Sequence, residues 1–185
     1  MKPSANEKSG IRPLNAKRKF PRVADIDTST FLHPVAELPA YGDKPEALWE
    51  LEDVEVIGKR VRSLAYFQRG TVVARFAGTL TYEVMQHTLQ VTPTTHILDT
   101  NMVGYLSHSC GPNCLLDMTR LEVLALKDIR PGEILSIDYA VTEDVLFKQF
   151  PCSCGSPECR HWVTGRREQV NPEGVAYLQH HWNRK

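Results

Sequence analysis

The sequence predicts a mostly β domain made of several small sheets with few helices. Short runs rich in β-branched residues recur along the chain, and the clearest is Thr-Val-Val-Ala-Arg-Phe at residues 71–76. Gly58, Gly70 and Gly78 separate such runs at positions where turns are expected. Many short strands divided by turns favour small sheets over a helical bundle.

Strands are predicted, in chain order, at residues 54–57, 60–65, 71–76, 89–91, 95–98, 121–126 and 134–139. The run at 121–126 is mostly apolar, and Pro131 and Gly132 form the turn expected before the last strand.

Helical structure is predicted at two places only. Residues 82–87 suit a short helical turn. Residues 142–150 suit a helix in which Thr142 is the N-cap and Glu143 and Asp144 occupy the first turn. Residues 23–50 contain three prolines and suggest extended segments and turns, and residues 179–182 suggest a surface end.

Length and composition indicate one domain with a basic tail. The chain has 185 residues, of which 42% are hydrophobic, and no run is long enough to predict a membrane span or a secretory signal. Residues 1–22 carry seven basic residues against one acid, a net charge of +6, which leaves −6 on the rest of the chain. We expect a disordered tail that is solubilising or folded back, and the alternative is a nuclear address or a polyanion contact at residues 17–19. The acidic remainder suits a basic peptide partner better than a nucleic acid.

The five cysteines indicate a metal site rather than a disulfide framework. Cys152, Cys154 and Cys159 form a Cys-x-Cys-x4-Cys cluster, which lacks one thiolate for a tetrahedral Zn²⁺ site. The fourth ligand has to come from Cys110 or Cys114, the remaining cysteines of the chain. An odd number of unevenly spaced cysteines favours a reducing compartment, so we expect a cytoplasmic or nuclear protein.

Three motifs occur in a fixed order: His-Ser-Cys-x-Pro-Asn from residue 108, Gly-Glu-x4-Asp-Tyr from residue 132, and Cys-x-Cys-Gly-x3-Cys-Arg from residue 152. Together they resemble the SET domain with its zinc-binding post-SET tail. The resemblance implies a C-terminal pseudoknot, Cys110 as the fourth zinc ligand and Cys114 as a buried, unligated thiol. It also implies three parts: the tail at 1–22, a SET domain at 23–145, and a post-SET zinc segment with the C-terminal tail at 146–185.

The resemblance further implies a site for S-adenosylmethionine, the methyl donor of that family. The opening Gly-x-Gly of SET domains corresponds to residues 58–60, which suggests that Lys59, Arg60 and Val61 contact the donor. Ser107 and His108 correspond to the Asn-His pair that contacts the donor, and Trp162 lies where a post-SET residue covers it. This chain differs from the family at Arg60 and Ser107, where glycine and asparagine are usual.

The activity that the resemblance implies is protein-lysine N-methylation, with Tyr139 of the Asp-Tyr pair as the catalytic residue. A fixed phenol can orient the amine lone pair toward the methyl group, and a narrow apolar channel favours the neutral lysine. Ile137 replaces the aromatic residue that often limits how many methyl groups fit. Because these differences surround the expected pocket, the alternative is a SET-fold protein that acts on a small molecule or binds without transferring methyl groups. The expected partner is a protein or peptide lysine, without direct nucleic-acid recognition or membrane association.

Overall fold

The computed structural model describes residues 47–55 and 58–183. Within this part of the chain there are twelve strands, one 3₁₀ helix and two α-helices. The predicted basic tail at 1–22 lies outside the described residues. None of the described helices has the length and apolar character needed to cross a membrane.

The elements follow one another in short succession. In chain order they are β1 (Trp49–Val54), β2 (Gly58–Ser63), β3 (Val72–Arg75), β4 (Thr79–Thr81), β5 (Leu89–Thr92), β6 (Thr95–Leu98), a 3₁₀ helix (Asn101–Tyr105), β7 (Ser107–His108), β8 (Cys114–Asp117), β9 (Glu122–Ala125), β10 (Ser136–Ile137), α1 (Tyr139–Thr142), β11 (Phe150–Pro151), β12 (Trp162–Val163) and α2 (Pro172–Trp182).

The strands form five small sheets, as the sequence predicts. β1 and β2 form an antiparallel pair, β3-β9-β8 and β4-β6-β5 form three-stranded antiparallel sheets, and β11 pairs with β12. β7 and β10 pair in parallel, with Ser107 opposite Ser136 and His108 opposite Ile137. This parallel pair is central to the site, because it places the residues after β7 beside those after β10.

Two predicted helical segments are wrong. α1 ends at Thr142, and the carbonyl oxygens of Glu143 and Asp144 accept hydrogen bonds from the backbone N–H groups of Arg166 and Arg167 at 2.8 and 3.0 Å. Tertiary partners thus take the carbonyl groups that a helix at 142–150 would use. Residues 82–87 form bends and turns, and His87 has a φ of 71°, which is outside the right-handed helical region.

The C-terminal segment forms a helix that the sequence analysis overlooked. The Asn171 side chain accepts a hydrogen bond from the N–H of Gly174 at 2.8 Å, and Pro172 begins α2. Asparagine followed by proline is a recognised helix start, so the signal was present in the sequence.

One apolar core supports the site. Val61 of β2, Leu106, Leu135 and Ile137 are almost completely buried in it. The backbone N–H of Leu135 donates to the carbonyl of Val61 at 2.9 Å, and the N–H of Ser107 donates to the carbonyl of Leu135 at 3.2 Å. The chain before β10 therefore lies between β2 and β7 and connects them.

Asn113 connects the His-Ser-Cys-x-Pro-Asn motif to this central segment. Its buried side chain donates from Nδ2 to the carbonyl of Ile134 at 2.9 Å, and its Oδ1 accepts from the N–H of Ser136 at 2.8 Å. The amide thus satisfies one donor and one acceptor of a backbone segment that leads into β10.

We expect Asn113→Ala to lower the free energy of unfolding by about 2–3 kcal/mol, because it leaves two backbone groups without partners in a buried place. Asn171→Ala is the matched control: the same amide is lost at a helix N-cap, where the cost is about 1 kcal/mol. Urea unfolding at neutral pH compares the two variants, and equal losses would contradict the role given to Asn113.

Candidate functional site

Four cysteines converge at one place, from segments more than forty residues apart. The Sγ atoms of Cys110, Cys152, Cys154 and Cys159 all lie within 4.8 Å of one another. A tetrahedron with metal–sulfur bonds of about 2.3 Å has sulfur–sulfur edges of about 3.8 Å. The Sγ atoms of Cys110 and Cys152 are 3.9 Å apart, so the cluster can hold a metal ion with little adjustment.

The surroundings of the cluster suit thiolate ligands. The N–H of Arg160 donates to Sγ of Cys110 at 3.4 Å, and the N–H of Cys110 donates to Sγ of Cys154 at 3.5 Å. Burial raises the pKa of Cys110 and Cys152. Burial also acts to raise the pKa of Cys154, but the N–H groups of Cys110 and Ser156 and the neighbouring thiols outweigh it and lower that pKa to about 6. A bound dication would favour ionisation of all four thiols.

Cys114 is not part of the cluster. It lies in the main apolar core with 1% of its surface exposed, and burial raises the pKa of its thiol to about 12. Of the two cysteines left open as the fourth ligand, the structure therefore brings Cys110 to the other three.

His108 links the cysteine cluster to Tyr139. Its Nε2 is 3.5 Å from Sγ of Cys110, and its Nδ1 is 3.3 Å from the backbone nitrogen of Tyr139. Because the N–H of Tyr139 can only donate, Nδ1 is the acceptor and Nε2 carries the proton, which points at the sulfur. Burial lowers the pKa of His108 to about 4, although Asp138 acts in the opposite direction, so the ring is neutral at physiological pH.

Tyr139 lies among aromatic rings and is partly buried. Its ring packs edge-on against His108 and Phe150, with centroids 5.3 and 6.0 Å apart, and its hydroxyl donates to the carbonyl of Leu106 at 2.6 Å. Burial raises the pKa of Tyr139 to about 12, so the phenol keeps its proton at neutral pH. The side chain of Asp138 caps α1 by accepting from the N–H of Ala140 and thereby fixes the backbone at Tyr139.

A mostly apolar pocket of about 380 Å³ opens beside Tyr139. One wall comes from residues 84–89, which precede and begin β5, and the facing wall comes from Thr142, Glu143, residues 145–148 and Phe150. Leu106, Ile137 and Tyr139 lie between the two walls. An apolar pocket with a few polar groups is the usual form of a small ligand or side-chain site.

The fold and motifs agree with a known family. The family model described as SET domain matches residues 58–140. Residues 58–140 are a SET domain.

The SET domain is similar in sequence to proteins that are named histone-lysine methyltransferases. Over 72 residues the chain is 35% identical to Histone-lysine N-methyltransferase trr of Drosophila melanogaster, a match that covers 36% of this chain and 3% of that protein. The chain thus spans a small part of the length of its curated relatives.

Two solved structures share the fold. A crystal structure of KRYPTONITE in complex with mCHG DNA and SAH has 27% identity and a TM-score of 0.51, and the match covers 62% of this chain and 28% of that one. The methyltransferase domain of human Histone-lysine N-methyltransferase SETMAR has 22% identity and a TM-score of 0.51, and the match covers 63% and 58%. The second match shows the likeness of fold alone.

The predicted donor residues of the SET domain lie on β2 and β7. The ammonium of Lys59 lies 5.5 Å from the ring centroid of Tyr105, the last residue of the 3₁₀ helix, while the side chain of Val61 is buried in the core. The Arg60 guanidinium bonds to Glu52 on β1 at 2.7 Å, and Ser107 begins β7. Lys59 therefore approaches the end of the 3₁₀ helix that leads into β7, whereas Arg60 is held on the opposite strand of the β1–β2 pair.

The remaining predicted donor residue, Trp162, lies on β12. Its buried indole N–H donates to Oε1 of Gln149 at 3.0 Å, and its ring packs against Tyr177 and against Gly174 of α2. The next residue, Val163, packs with the cysteine cluster instead. Because neighbouring strand residues face opposite ways, the Trp162 ring packs on α2, and its contact with the donor stays a prediction.

Sequence reasoning missed a polar connection between residues 143–144 and β5. Both carboxylate oxygens of Glu143 accept from the backbone N–H of Gln90, at 3.1 and 3.3 Å. The Gln90 side chain exchanges hydrogen bonds with Asp144, donating to Oδ2 at 2.9 Å and accepting from its N–H at 2.5 Å. No sequence signal connects Gln90 to residues 143–144. The predicted helix at 142–150 already accounted for Glu143 and Asp144 as acidic residues of its first turn.

Glu143→Gln should change how stability depends on pH. Burial raises the pKa of Glu143 from 4.5 to about 7, so the folded state binds more protons than the unfolded chain between these values. Glu143 therefore contributes about 1–3 kcal/mol of stability that is lost as pH rises from about 4.5 to about 7. Glutamine does not ionise, so the variant lacks this pH-dependent contribution to stability. Any other effect of the amide on the free energy of unfolding is the same at both pH values.

Urea unfolding at pH 5 and pH 8 measures the difference. The exposed Glu133 provides the control, since Glu133→Gln should leave the pH dependence of the wild type unchanged. A Glu143→Gln variant whose stability changes between the two pH values by the same amount as that of the wild type would contradict the buried carboxyl with a raised pKa.

Proposed function

We infer that this protein transfers a methyl group from S-adenosylmethionine to the side chain of a lysine in a protein or peptide. The observation that carries this proposal is the position of Tyr139, whose fixed phenol lies at the inner side of an apolar pocket within a SET domain. The names of the relatives support lysine as the acceptor, and the SAH in the KRYPTONITE complex supports the donor. Histone peptides are therefore the first substrates to test, and a nuclear site of action follows from them.

The pocket provides two things that methylation of an amine requires. Lysine has an unperturbed pKa of about 10.4, and an apolar enclosure disfavours the ammonium form, which cannot act as a nucleophile. The phenol of Tyr139 is held by the carbonyl of Leu106 and by the rings of His108 and Phe150, so it cannot turn away from the pocket. When bound, the donor supplies an electrophilic methyl group on a sulfonium sulfur.

We place the donor against β2 and β7, where Lys59, the backbone of Val61, Ser107 and His108 would contact it. The side chains fit this role, because Glu52 holds Arg60 on β1 and so keeps it from filling the space where the family has glycine. The Lys59 ammonium beside the 3₁₀ helix supplies a positive charge for a carboxylate. Calorimetry with S-adenosylmethionine tests the site, and absence of binding would favour a protein that only keeps the fold.

We also propose that the cysteine cluster holds one Zn²⁺ through Cys110, Cys152, Cys154 and Cys159. Four thiolates complete the tetrahedral shell, so the ion has a structural role and no open position for catalysis. It would hold residues 152–159 against the centre of the SET domain. His108 would donate to one of the ligand sulfurs and so connect the ion to the tyrosine pocket.

Tyr139→Phe should reduce kcat on a lysine peptide by about 10²-fold or more, while donor affinity changes little. Phenylalanine keeps the ring packing and removes only the hydroxyl. Tyr177→Phe, on α2, is the control and should keep full activity. A Tyr139→Phe variant with wild-type turnover would remove the mechanism, and wild-type protein that binds the donor but methylates no histone, ribosomal or lysate lysine would favour a small-molecule substrate.

Cys110→Ser and Cys114→Ser separate the ligand from the core thiol. The first should lose bound zinc and unfold at a clearly lower temperature, because metal binding contributes folding free energy. The second should keep one equivalent of zinc, since Cys114 is buried away from the cluster. Metal analysis together with thermal unfolding checks both, and full zinc content in Cys110→Ser would refute the ligand assignment.

A further inference from the structure

Glu143 is a buried acid in the wall of the pocket that contains Tyr139, and the mechanism above gives it no task. It is 8% exposed and follows α1 directly, so it lies one helical turn after Tyr139. Its two carboxylate oxygens share the single backbone N–H of Gln90, at 3.1 and 3.3 Å, and the Thr142 side chain is its other hydrogen-bonding neighbour. A carboxylate has about four lone-pair sites, so acceptor capacity remains.

The charge of Glu143 has no cationic partner within the described part of the chain. The nearest arginine, Arg166, directs its guanidinium to Asp144, at 2.9 Å. The guanidinium of Arg166 is thus paired with Asp144 and not with Glu143. Glu143 instead lines a pocket whose walls are mainly apolar. A buried carboxylate normally requires a paired cation, and a ligand can supply the one that the protein omits.

We propose that Glu143 is a catalytic residue that binds the ammonium group of the substrate lysine and accepts one of its protons. The proposal rests on the function inferred above and assigns the step that must precede methyl transfer. One N–H bond of the ammonium breaks, its electron pair remains on nitrogen, and the proton forms an O–H bond with Glu143. The neutral amine then has the lone pair that attack on a methyl group requires, and the proton leaves to water afterwards.

The electrostatics of the pocket agree with this role. Burial raises the pKa of Glu143 to about 7, while the charge of Arg166 acts to lower it and that of Asp144 to raise it. An acid with a pKa near the working pH is well suited to accept and release a proton. Tyr139 is unsuited to it, because burial raises the pKa of its phenol to about 12.

Two other titratable side chains face the same pocket and define the rival explanations. His87 lies in the wall that precedes β5, exposed, with its Nδ1 2.9 Å from the carbonyl of Gly104. Lys148 lies in the facing wall. Since a carbonyl only accepts, His87 donates from Nδ1 and keeps Nε2 free to act as a base. His87→Asn is therefore the control that separates a histidine base from Glu143, and asparagine tolerates the positive φ at this position.

The first test is the pH dependence of kcat/KM for a lysine peptide from pH 6 to pH 10. Wild-type protein should show a rise with an apparent pKa near 7. Glu143→Gln should lose that rise and be about 10²-fold slower at pH 8, recovering as pH approaches the pKa of lysine. His87→Asn should keep the rise near pH 7, whatever its effect on the absolute rate. Loss of the rise in His87→Asn but not in Glu143→Gln would overturn the assignment.

The second test measures binding without catalysis. NMR titration with n-butylamine, which is an ammonium at pH 8, and with 1-butanol compares a charged and a neutral mimic of the lysine side chain. Glu143→Gln should weaken n-butylamine binding at least tenfold and leave 1-butanol binding unchanged. Urea unfolding of this variant at pH 8 shows whether it is folded under the conditions of the titration, so that a loss of binding is separated from unfolding.

The two tests distinguish failure of this proposal from failure of the proposed function. If the wild type methylates lysine and Glu143→Gln matches it in pH profile and n-butylamine affinity, the role of Glu143 is overturned and the function stands. If the wild type methylates no lysine, the function fails, and with it the proton transfer. In that case n-butylamine binding that depends on Glu143 still supports the ammonium site, and binding independent of it overturns that as well.

Discussion

The joining of Cys110 to the cysteines at 152–159 is the contact on which the rest of the site depends. Cys110 follows β7 by two residues, and β7 pairs in parallel with β10, which leads to Tyr139. Anchoring one sulfur therefore fixes His108, and the Nδ1 of His108 fixes the backbone of Tyr139. The second apolar cluster contains Cys110, Cys152 and Val163, with Tyr139 packed against it, so cluster and pocket share one set of side chains.

Burial sets the charge state of the interior of this site. It lowers the pKa of His108 to about 4 and raises that of Tyr139 to about 12, so both are neutral at physiological pH. On the β1–β2 pair, hydrogen bonds rather than burial set the charge state. Arg62 and Arg60 donate to Glu52 and lower its pKa to about 2, so this carboxylate is charged at physiological pH. Glu143 is the described carboxyl whose burial places its pKa near 7, in a pocket otherwise lined by neutral groups and two basic side chains.

Patterns that are local in sequence predicted most of the fold. The strand at Thr95–Leu98 has the predicted bounds, and the predicted segment 71–76 contains β3. The fourth position of the cysteine cluster needed the family resemblance, because spacing alone left two cysteines open. The helix expected at 142–150 failed for a physical reason: its backbone groups bond to residues 166–167 and to Gln90, which no local pattern reveals.

Residues 143–144 explain why the pocket and the cysteine cluster should behave as one unit. They bond through Gln90 to β5, which belongs to one wall of the pocket, and through their carbonyls to residues 166–167, which follow the cluster. At Gly165, an added Cβ would lie 2.4 Å from the carbonyl oxygen of Asp144, so the two segments are in direct backbone contact. A substitution that weakens the packing at the pocket or at the cysteine cluster should therefore also affect the other region through these hydrogen bonds. The changes in the free energy of unfolding caused by substitutions in the two regions should not be additive.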